Sequence, residues 1–315
     1  MAAHPPTPVS GTIGPPPRPA LSIGPATTPC GAIAARRWRL FAREPLAPVA
    51  LLFLALLLLA ALLAPVLAPL DPSRVDLAQT ALPPSTRHLL GTDTLGRDLL
   101  SRALYGARIS LAVGLGAAAL SAALGLLLGL AAAYRGGILD AAITRLVDAA
   151  MAVPAFFLLI ALQSIFGSSV LNVILMVSLA GWMAVARVVR ALTLSLKERE
   201  FVLAARALGC SPPRILLHHL IPNMVGQIGV LFALGVADAL LLESALSFIG
   251  LGVPSTEPSW GNMLNDAQAA ILAGNWWVAV LPGTLILGTA LAINLVGDGL
   301  QELFSPRVSW QRTLQ

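Results

Sequence analysis

The sequence predicts an all-α, polytopic membrane protein with six transmembrane helices. Of its 315 residues, 57% are hydrophobic and 11% are charged, whereas an average soluble domain has about 25% charged residues. The apolar residues gather in runs close to the roughly 20 residues that a helix needs to cross a bilayer. The arginines lie in loops beside these runs, so the net charge of +5 indicates a lipid bilayer rather than nucleic acid as the partner.

Six apolar runs are taken as spans, in chain order. They cover residues 48–70, 109–134, about 149–166, 170–192, about 224–251 and about 277–300. An amphipathic segment, 139–148, leads into the third span. The second span is rich in glycine and alanine, and Gly125 and Gly129 form a GxxxG pattern. Small residues at this spacing let helix backbones approach closely in lipid, so we expect a tightly packed bundle.

The distribution of arginine predicts the orientation of the chain. Arginines cluster before the first span (36–43) and after the fourth (187–214), whereas the loops after spans three and five have none. The loop 71–108 carries five arginines, but long loops follow the positive-inside rule less strictly than short ones. Both termini and residues 193–222 are therefore expected in the cytoplasm. Trp260 and the later tryptophan pair are expected at the opposite membrane interface.

A short amphipathic helix is predicted between the fourth and fifth spans. Phe201, Ala204, Ala205 and Leu208 fall at helical spacing and share one face. Gly209 follows them, where a left-handed residue that ends a helix is expected, and a Ser-Pro pair then begins the next helix. A short apolar face outside the bilayer indicates docking to a soluble partner.

This region resembles the cytoplasmic "EAA" coupling loop of bacterial ABC-importer permeases. Ala204-Ala205, Gly209 and Pro222 stand at the matching spacing, although Leu203 replaces the glutamate. Four further stretches resemble the permease subunits of dipeptide, oligopeptide and nickel ABC importers, the inner-membrane components of binding-protein-dependent transport systems. These stretches are 88–114, which contains GTDTLGRD, then 135–154, 241–261 and 294–307.

The resemblance implies a type I ABC-importer permease fold and an alternating-access mechanism. This chain would pair with a second, homologous permease, dock on two ATP-binding cassette ATPases and receive solute, taken to be di- or oligopeptides, from an extracytoplasmic binding protein. Six residues are assigned to ATPase coupling: Phe201, Ala204, Ala205, Leu208, Gly209 and Pro222. The chain is expected to bind no cofactor, and ATP to be hydrolysed by the partners, because its only lysine, Lys197, lies outside any phosphate-binding loop.

The predicted domain organisation combines this resemblance with composition, since the first residues are rich in proline and almost uncharged. Residues 1–35 form a disordered, proline-rich cytoplasmic tail, and residues 36–107 contain the first span and a periplasmic loop. Residues 108–304 form the ABC transmembrane type-1 domain, which includes the coupling loop 197–222. Residues 305–315 form a cytoplasmic C-terminal tail.

Two groups of charged residues are further candidate sites. Asp238 and Glu243 fall within an apolar span, where a carboxylate is by default a functional candidate, and are assigned to gating or to the transport pathway. Asp93, Arg97 and Asp98 precede the second span. They either pair with one another as structure or contact the binding protein.

Other functions remain open. The same architecture could carry nickel or another small solute, although the sequence has no cysteine, histidine or methionine cluster that predicts a metal site. An ion-coupled secondary transporter could use Asp238 and Glu243, but it leaves the coupling loop unexplained. An enzyme is not expected, because no catalytic constellation is recognisable.

Overall fold

The computed structural model describes residues 46–304, which are almost entirely helical and contain no β-strand. The predicted tails, 1–35 and 305–315, lie outside the described residues. The helices are α1 (Leu46–Leu62), α2 (Ala64–Leu67), α3 (Leu99–Arg135), α4 (Gly137–Met151), α5 (Ala155–Phe166), α6 (Val170–Leu196), α7 (Glu200–Ala207), α8 (Pro212–Ile215), α9 (Ile221–Phe248), α10 (Trp260–Leu272) and α11 (Trp277–Phe304). A 3₁₀ turn, Leu77–Gln79, lies in the long loop before α3, and a π-helical turn, Leu216–Leu220, joins α8 to α9.

Four of these helices are long and apolar enough to cross a membrane. They are Leu99–Arg135, Val170–Leu196, Pro212–Phe248 and Trp277–Leu303, of which the third joins α8, the π-helical turn and α9. They match predicted spans two, four, five and six. A fifth span is counted if α4 and α5, which are bent by 88°, are taken together. With the shorter apolar helix α1, these spans confirm the polytopic, all-α class.

The first and third predicted spans are interrupted. The first breaks after Leu62, and only one further turn, at Ala64–Leu67, follows before the chain extends at Ala68. The third is divided between α4 and α5 by a break that ends at Pro154. Proline disfavours a helical conformation in the residue before it and lacks the N–H that would continue a helix. At about 18 Å, the 12 residues of α5 are too short to span a bilayer alone.

Side-chain caps and glycines set the ends of the main helices. Asp98, Ser169 and Ser259 are N-caps whose side chains accept from the backbone N–H three residues later. Gly136 (φ 67°) separates α3 from α4, and Gly167 (φ 77°) ends α5 before the cap of α6. The helices therefore begin and end where local chemistry satisfies their free backbone groups.

Helices α3 and α6 pack closely together, and glycine makes this approach possible. A Cβ atom on Gly125 would lie 2.5 Å from Val185 Cβ and 2.8 Å from the Trp182 carbonyl oxygen. A Cβ atom on Gly129 would lie 2.7 Å from the Ala186 carbonyl oxygen. These two glycines are therefore the contact points between two backbones, as the GxxxG pattern predicted.

Helix α10 was not predicted, and it corrects the interpretation of Trp260. This residue begins α10, is fully buried, and donates from Nε1 to the Ala103 carbonyl oxygen at 3.1 Å. It packs in a cluster with Leu99 and Met263. The prediction that Trp260 marks a membrane interface was wrong, because its ring is enclosed by α3 and α10 and does not face lipid.

Candidate functional site

Helix α7 has the boundaries and the C-terminal turn that the sequence predicted. The helix ends at Ala207, and Gly209 follows with φ 77°. Gly209 N–H donates to the Arg206 carbonyl oxygen (2.9 Å), and Cys210 N–H donates to the Ala205 carbonyl oxygen (3.0 Å). This pair of bonds is the Schellman motif, which satisfies the free carbonyl groups of a helix end.

The apolar face predicted for α7 is divided between the protein interior and solvent. Phe201, Ala204 and Leu208 are exposed, and Leu208 is 84% exposed. Ala205 is only 6% exposed, and with the fully buried Val202 it packs against the chain's own core. Ala205 therefore anchors α7 to the bundle, while the other three residues form the surface that a partner could reach.

The anchor lies where α6 ends and the next spanning helix begins. Val202 and Ala205 share a cluster with Ile215, Leu220 and Met224. These last three residues follow the chain from α8, through the π-helical turn, into the first turn of α9. Helix α7 is therefore packed directly on the start of a spanning helix.

The π-helical turn is a feature that sequence reasoning missed. Its defining bond runs from Ile221 N–H to the Leu216 carbonyl oxygen. Pro222 follows and has no N–H to donate, and Asn223 Nδ2 donates to the His219 carbonyl oxygen at 2.6 Å. The ring of Phe201 lies 6.5 Å from that of His219, so α7 also contacts the turn through an exposed residue. Pro222 is the residue from which an irregularity could have been predicted, because a proline and a π-helical turn both interrupt the regular hydrogen bonding of an α-helix.

A buried charge cluster lies at the opposite end of the bundle. Arg97 Nε donates to Asp93 Oδ2 (2.6 Å), and Arg97 Nη2 donates to Asp266 Oδ2 of α10 (2.6 Å). Arg102 Nη2 also donates to Asp266 Oδ2, at 2.9 Å. Asp93, Arg97 and Arg102 are at most 8% exposed. The cluster therefore fastens the loop before α3 to α10 through paired charges.

Asp98 belongs to a second, adjacent network. Its Oδ2 accepts from both the N–H and the hydroxyl of Ser101 at 2.8 Å, which makes Asp98 the N-cap of α3. Its Oδ1 lies 3.0 Å from His88 Nδ1, and His88 Nε2 lies 2.8 Å from Gln79 Oε1. Of the structural pairing considered for these residues, the structure shows the Asp93–Arg97 pair, whereas Asp98 bonds to His88 and Ser101 instead. Their contact with a binding protein stays a prediction.

The two carboxylates predicted within the fifth span have opposite environments. Asp238 is exposed on α9, on a surface that the chain does not cover. Glu243 is fully buried and surrounded by serine hydroxyls. The structure therefore leaves Asp238 accessible to a partner or a pathway and places Glu243 inside the chain's own packing.

Comparison with known proteins connects this architecture to a family. Residues 125–310 match the family profile described as binding-protein-dependent transport system inner membrane component. Residues 34–84 match the N-terminal TM domain of oligopeptide transport permease C. The chain is 38% identical over 271 residues to the dipeptide transport system permease protein DppC of Bacillus subtilis, covering 86% of this chain and 85% of DppC. It is 37% identical over 268 residues to the oligopeptide transport system permease protein OppC of the same organism, covering 85% of this chain and 88% of OppC.

Proposed function

The chain belongs to the family of inner membrane components of binding-protein-dependent transport systems, and on this premise we propose that it is the permease subunit of an ATP-driven peptide importer. It is a multi-pass inner-membrane transport protein. The proposed solutes are di- and oligopeptides, because relatives that align over most of their length are named as dipeptide and oligopeptide permeases. The observation that carries the proposal is the exposed face of α7, packed on the start of a spanning helix.

Four partner subunits complete the proposed importer. A second, homologous permease forms the translocation path together with this chain, and an extracytoplasmic binding protein delivers the peptide. Two ATPase subunits hydrolyse ATP, and this chain binds no cofactor of its own. Both termini and residues 197–222 face the cytoplasm in this proposal, so that α7 lies on the ATPase side. The domain boundaries at residues 35, 107 and 304 stay predictions.

The proposed ATPase-binding surface consists of Phe201 and Ala204 of α7 and its C-cap residue Leu208, all three of which are exposed. Leu208 is 84% exposed and Phe201 is 41% exposed, so both have apolar area to bury. Burying each of these side chains in a groove contributes about 1.5–3 kcal/mol. Gly209 and Pro222 contribute indirectly: Gly209 ends α7, and Pro222 follows the turn against which Phe201 lies.

Asp238 is proposed to line the path or its gate. It is a carboxylate on the exposed surface of a spanning helix. A carboxylate that faced lipid would be costly, by about 2.5–3.5 kcal/mol on insertion scales, so a water-filled path or the second permease is the favoured environment.

Paired substitutions at opposite ends of the bundle test the ATPase surface. Leu208→Glu puts a charge in the proposed interface and should weaken co-purification of the ATPase by at least about tenfold, the equivalent of 1.4 kcal/mol. The matched control is Leu272→Glu, because Leu272 is 91% exposed at the end of α10 and should leave co-purification unchanged. Retention of the ATPase by the Leu208 variant at the control's level would reject the proposed surface.

Uptake measurements test the transport function. Inside-out membrane vesicles cannot present the binding protein, so proteoliposomes with the complete importer and external binding protein are required. We expect accumulation of a radiolabelled dipeptide that depends on internal ATP and continues when an ionophore collapses the ion gradients. Abolition by the ionophore at constant ATP would favour an ion-coupled transporter, and uptake of nickel without peptide uptake would reject the proposed solute.

A further inference from the structure

Glu243 lies in a cage of hydroxyl groups that joins two spanning helices. The Ser247 hydroxyl donates to its Oε1 at 2.8 Å, and the hydroxyls of Ser110 and Ser244 approach its Oε2 at 3.3 and 3.4 Å. Ser110 belongs to α3, whereas the other residues belong to α9. Glu243 is 0% exposed, so every contact of its carboxyl group is with the chain itself. We call these four residues the serine cage.

Two of the cage serines also bind the backbone of the segment that follows α9. Trp260 N–H donates to Ser110 Oγ at 3.2 Å, and Val253 N–H donates to Ser247 Oγ at 3.1 Å. A hydroxyl group has one hydrogen atom and two lone pairs. Because that hydrogen is donated to Glu243, the lone pairs are left to accept these backbone N–H groups. The carboxyl group therefore sets the direction in which both serines accept.

The segment 249–272 also fits against the cage without spare room. A Cβ atom on Gly261 would lie 2.6 Å from Ser247 Cβ and 2.8 Å from Ser244 Cα. A Cβ atom on Gly252 would lie 2.0 Å from Ser247 Oγ. Only glycine permits this approach, so the backbone of the segment lies directly against α9.

Hydrogen bonds within the segment hold it together, so we expect it to move as a unit. Asn262 Nδ2 lies 3.0–3.1 Å from the carbonyl oxygens of Val253, Pro254 and Glu257, which share its two hydrogens, and closes the loop over the start of α10. Asp266, farther along α10, is held by the buried charge cluster described above. Two separate attachments therefore hold the segment: the charge cluster holds it on the loop before α3, and the serine cage holds it on α3 and α9.

We propose that Glu243 is a positioning residue for transport, which acts through Ser110 and Ser247 to make the 249–272 segment move together with α9. This proposal rests on the proposed importer function. Helix α9 begins at the π-helical turn on which α7 is packed, so displacement of α7 would reach the serine cage along one continuous element. Without the carboxyl group the serine hydroxyls reorient, and the segment no longer follows the helix.

Hydrogen exchange on the isolated chain tests the geometry without any transport assay. Glu243→Gln replaces one of the two acceptor oxygens by an NH2 group that cannot accept a hydroxyl hydrogen. At least one of the Val253 and Trp260 amides should therefore exchange at least tenfold faster than in the wild type. Ser247→Ala should have the same effect at Val253. Ser244→Ala is the matched control, because within residues 46–304 the Ser244 hydroxyl accepts no backbone N–H. Unchanged exchange in the Gln variant would overturn the proposal.

ATP turnover of the complete importer in nanodiscs tests the positioning role. We expect Glu243→Gln and Ser247→Ala to keep basal ATP turnover within twofold of the wild type. In both variants the stimulation of turnover by loaded binding protein should be at least fivefold smaller than in the wild type. Ser244→Ala should keep both the basal and the stimulated turnover. Equal loss of basal and stimulated turnover would indicate a merely structural role and overturn the proposal, as would full stimulation in both variants. If Glu243→Gln does not assemble, Ser247→Ala decides alone. A wild-type importer without stimulation would reject the proposed function, while the hydrogen-exchange result would still stand.

Discussion

The close contact between α3 and α6 predicts that one added methyl group at Gly125 lowers the stability of the bundle. Replacing Gly125 by alanine adds one methyl group at the point where the two helices meet. That carbon would lie 2.5 Å from Val185 Cβ, about 1 Å short of the 3.5–4.0 Å optimum between carbon atoms. It would also lie 2.8 Å from the Trp182 carbonyl oxygen, which belongs to a backbone and cannot rotate away.

The expected cost follows from two opposing effects. Overpacking of a close contact costs about 1–3 kcal/mol, because the helices must separate and lose dispersion contacts along their length. Alanine also has the higher helix propensity and returns about 0.5–1 kcal/mol. Gly283→Ala in α11 is the matched control, because nothing lies within 4 Å of its added carbon and only the propensity gain applies. The two variants should therefore differ by about 1–3 kcal/mol.

The assay is reversible unfolding of the isolated chain in mixed detergent and SDS micelles, followed by circular dichroism. Gly125→Ala should unfold at a lower SDS fraction than the wild type, and Gly283→Ala at an equal or higher one. If the two alanine variants unfolded together, the close approach of α3 and α6 would not limit stability, and the interpretation of the GxxxG pattern would be refuted.

The same titration checks three further predictions. Arg97→Ala removes the charged hydrogen bond to the buried Asp93 carboxylate, whose remaining cation is Arg102 at 3.7 Å, and should lower the free energy of unfolding by about 1.5–3 kcal/mol. Arg187→Ala, which removes an exposed pair with Asp148, should lower it by less than about 1 kcal/mol, and equal losses would contradict the buried cluster. Gly209→Ala should lower the free energy of unfolding by about 1–2 kcal/mol because of the positive φ at this position, and Gly209→Asn should lower it less. An alanine variant as stable as the wild type would count against the Schellman turn. Trp260→Phe should lower the free energy of unfolding by about 0.5–1.5 kcal/mol through loss of the indole hydrogen bond to Ala103. A phenylalanine variant as stable as the wild type would exclude that bond.

Spanning helices could be predicted from the sequence because the bilayer restricts the solutions. Every backbone N–H and C=O in hydrocarbon must be paired, so a long apolar run is a helix almost by necessity. This argument located four spans within a few residues, apart from the extra turns at the start of α3 and the stretch from Pro212 that precedes α9. It did not locate the breaks near Leu62 and Pro154, because the hydrophobicity of a run does not depend on whether a proline divides it. Composition fixes what enters the membrane, whereas local backbone chemistry fixes where a helix stops.

Helix α10 shows a different limit of composition-based reasoning. Trp260, Met263, Ala267 and Ala270 are buried at helical spacing, so the pattern was present in the sequence. Trp260 was assigned to a membrane interface because tryptophan is common there. The average preference of tryptophan predicted the wrong environment for Trp260, whereas the helical periodicity of its apolar neighbours would have predicted a buried position.

Candidate sites were predictable only where they depend on local sequence. The helix α7 and its left-handed Gly209 follow from residues within a single turn of each other. Asp266 pairs with Arg97 across 169 positions, and no local pattern connects them. Which side of α7 faces the bundle was likewise unpredictable, because Ala205 and Phe201 lie on one apolar face and only tertiary packing divides them.

The two types of contact at the ends of α9 differ in what they can transmit. At one end, α7 rests on Ile215, Leu220 and Met224 through apolar packing, which resists compression but has no fixed direction. At the other end, Glu243 holds its neighbours through directional hydrogen bonds. The helical path from Pro212 to Phe248 is 37 residues, or about 55 Å, and its one irregularity is the π-helical turn beside α7. Bending is therefore expected at that turn, while the rest of the helix and the segment fastened to it move as a single body.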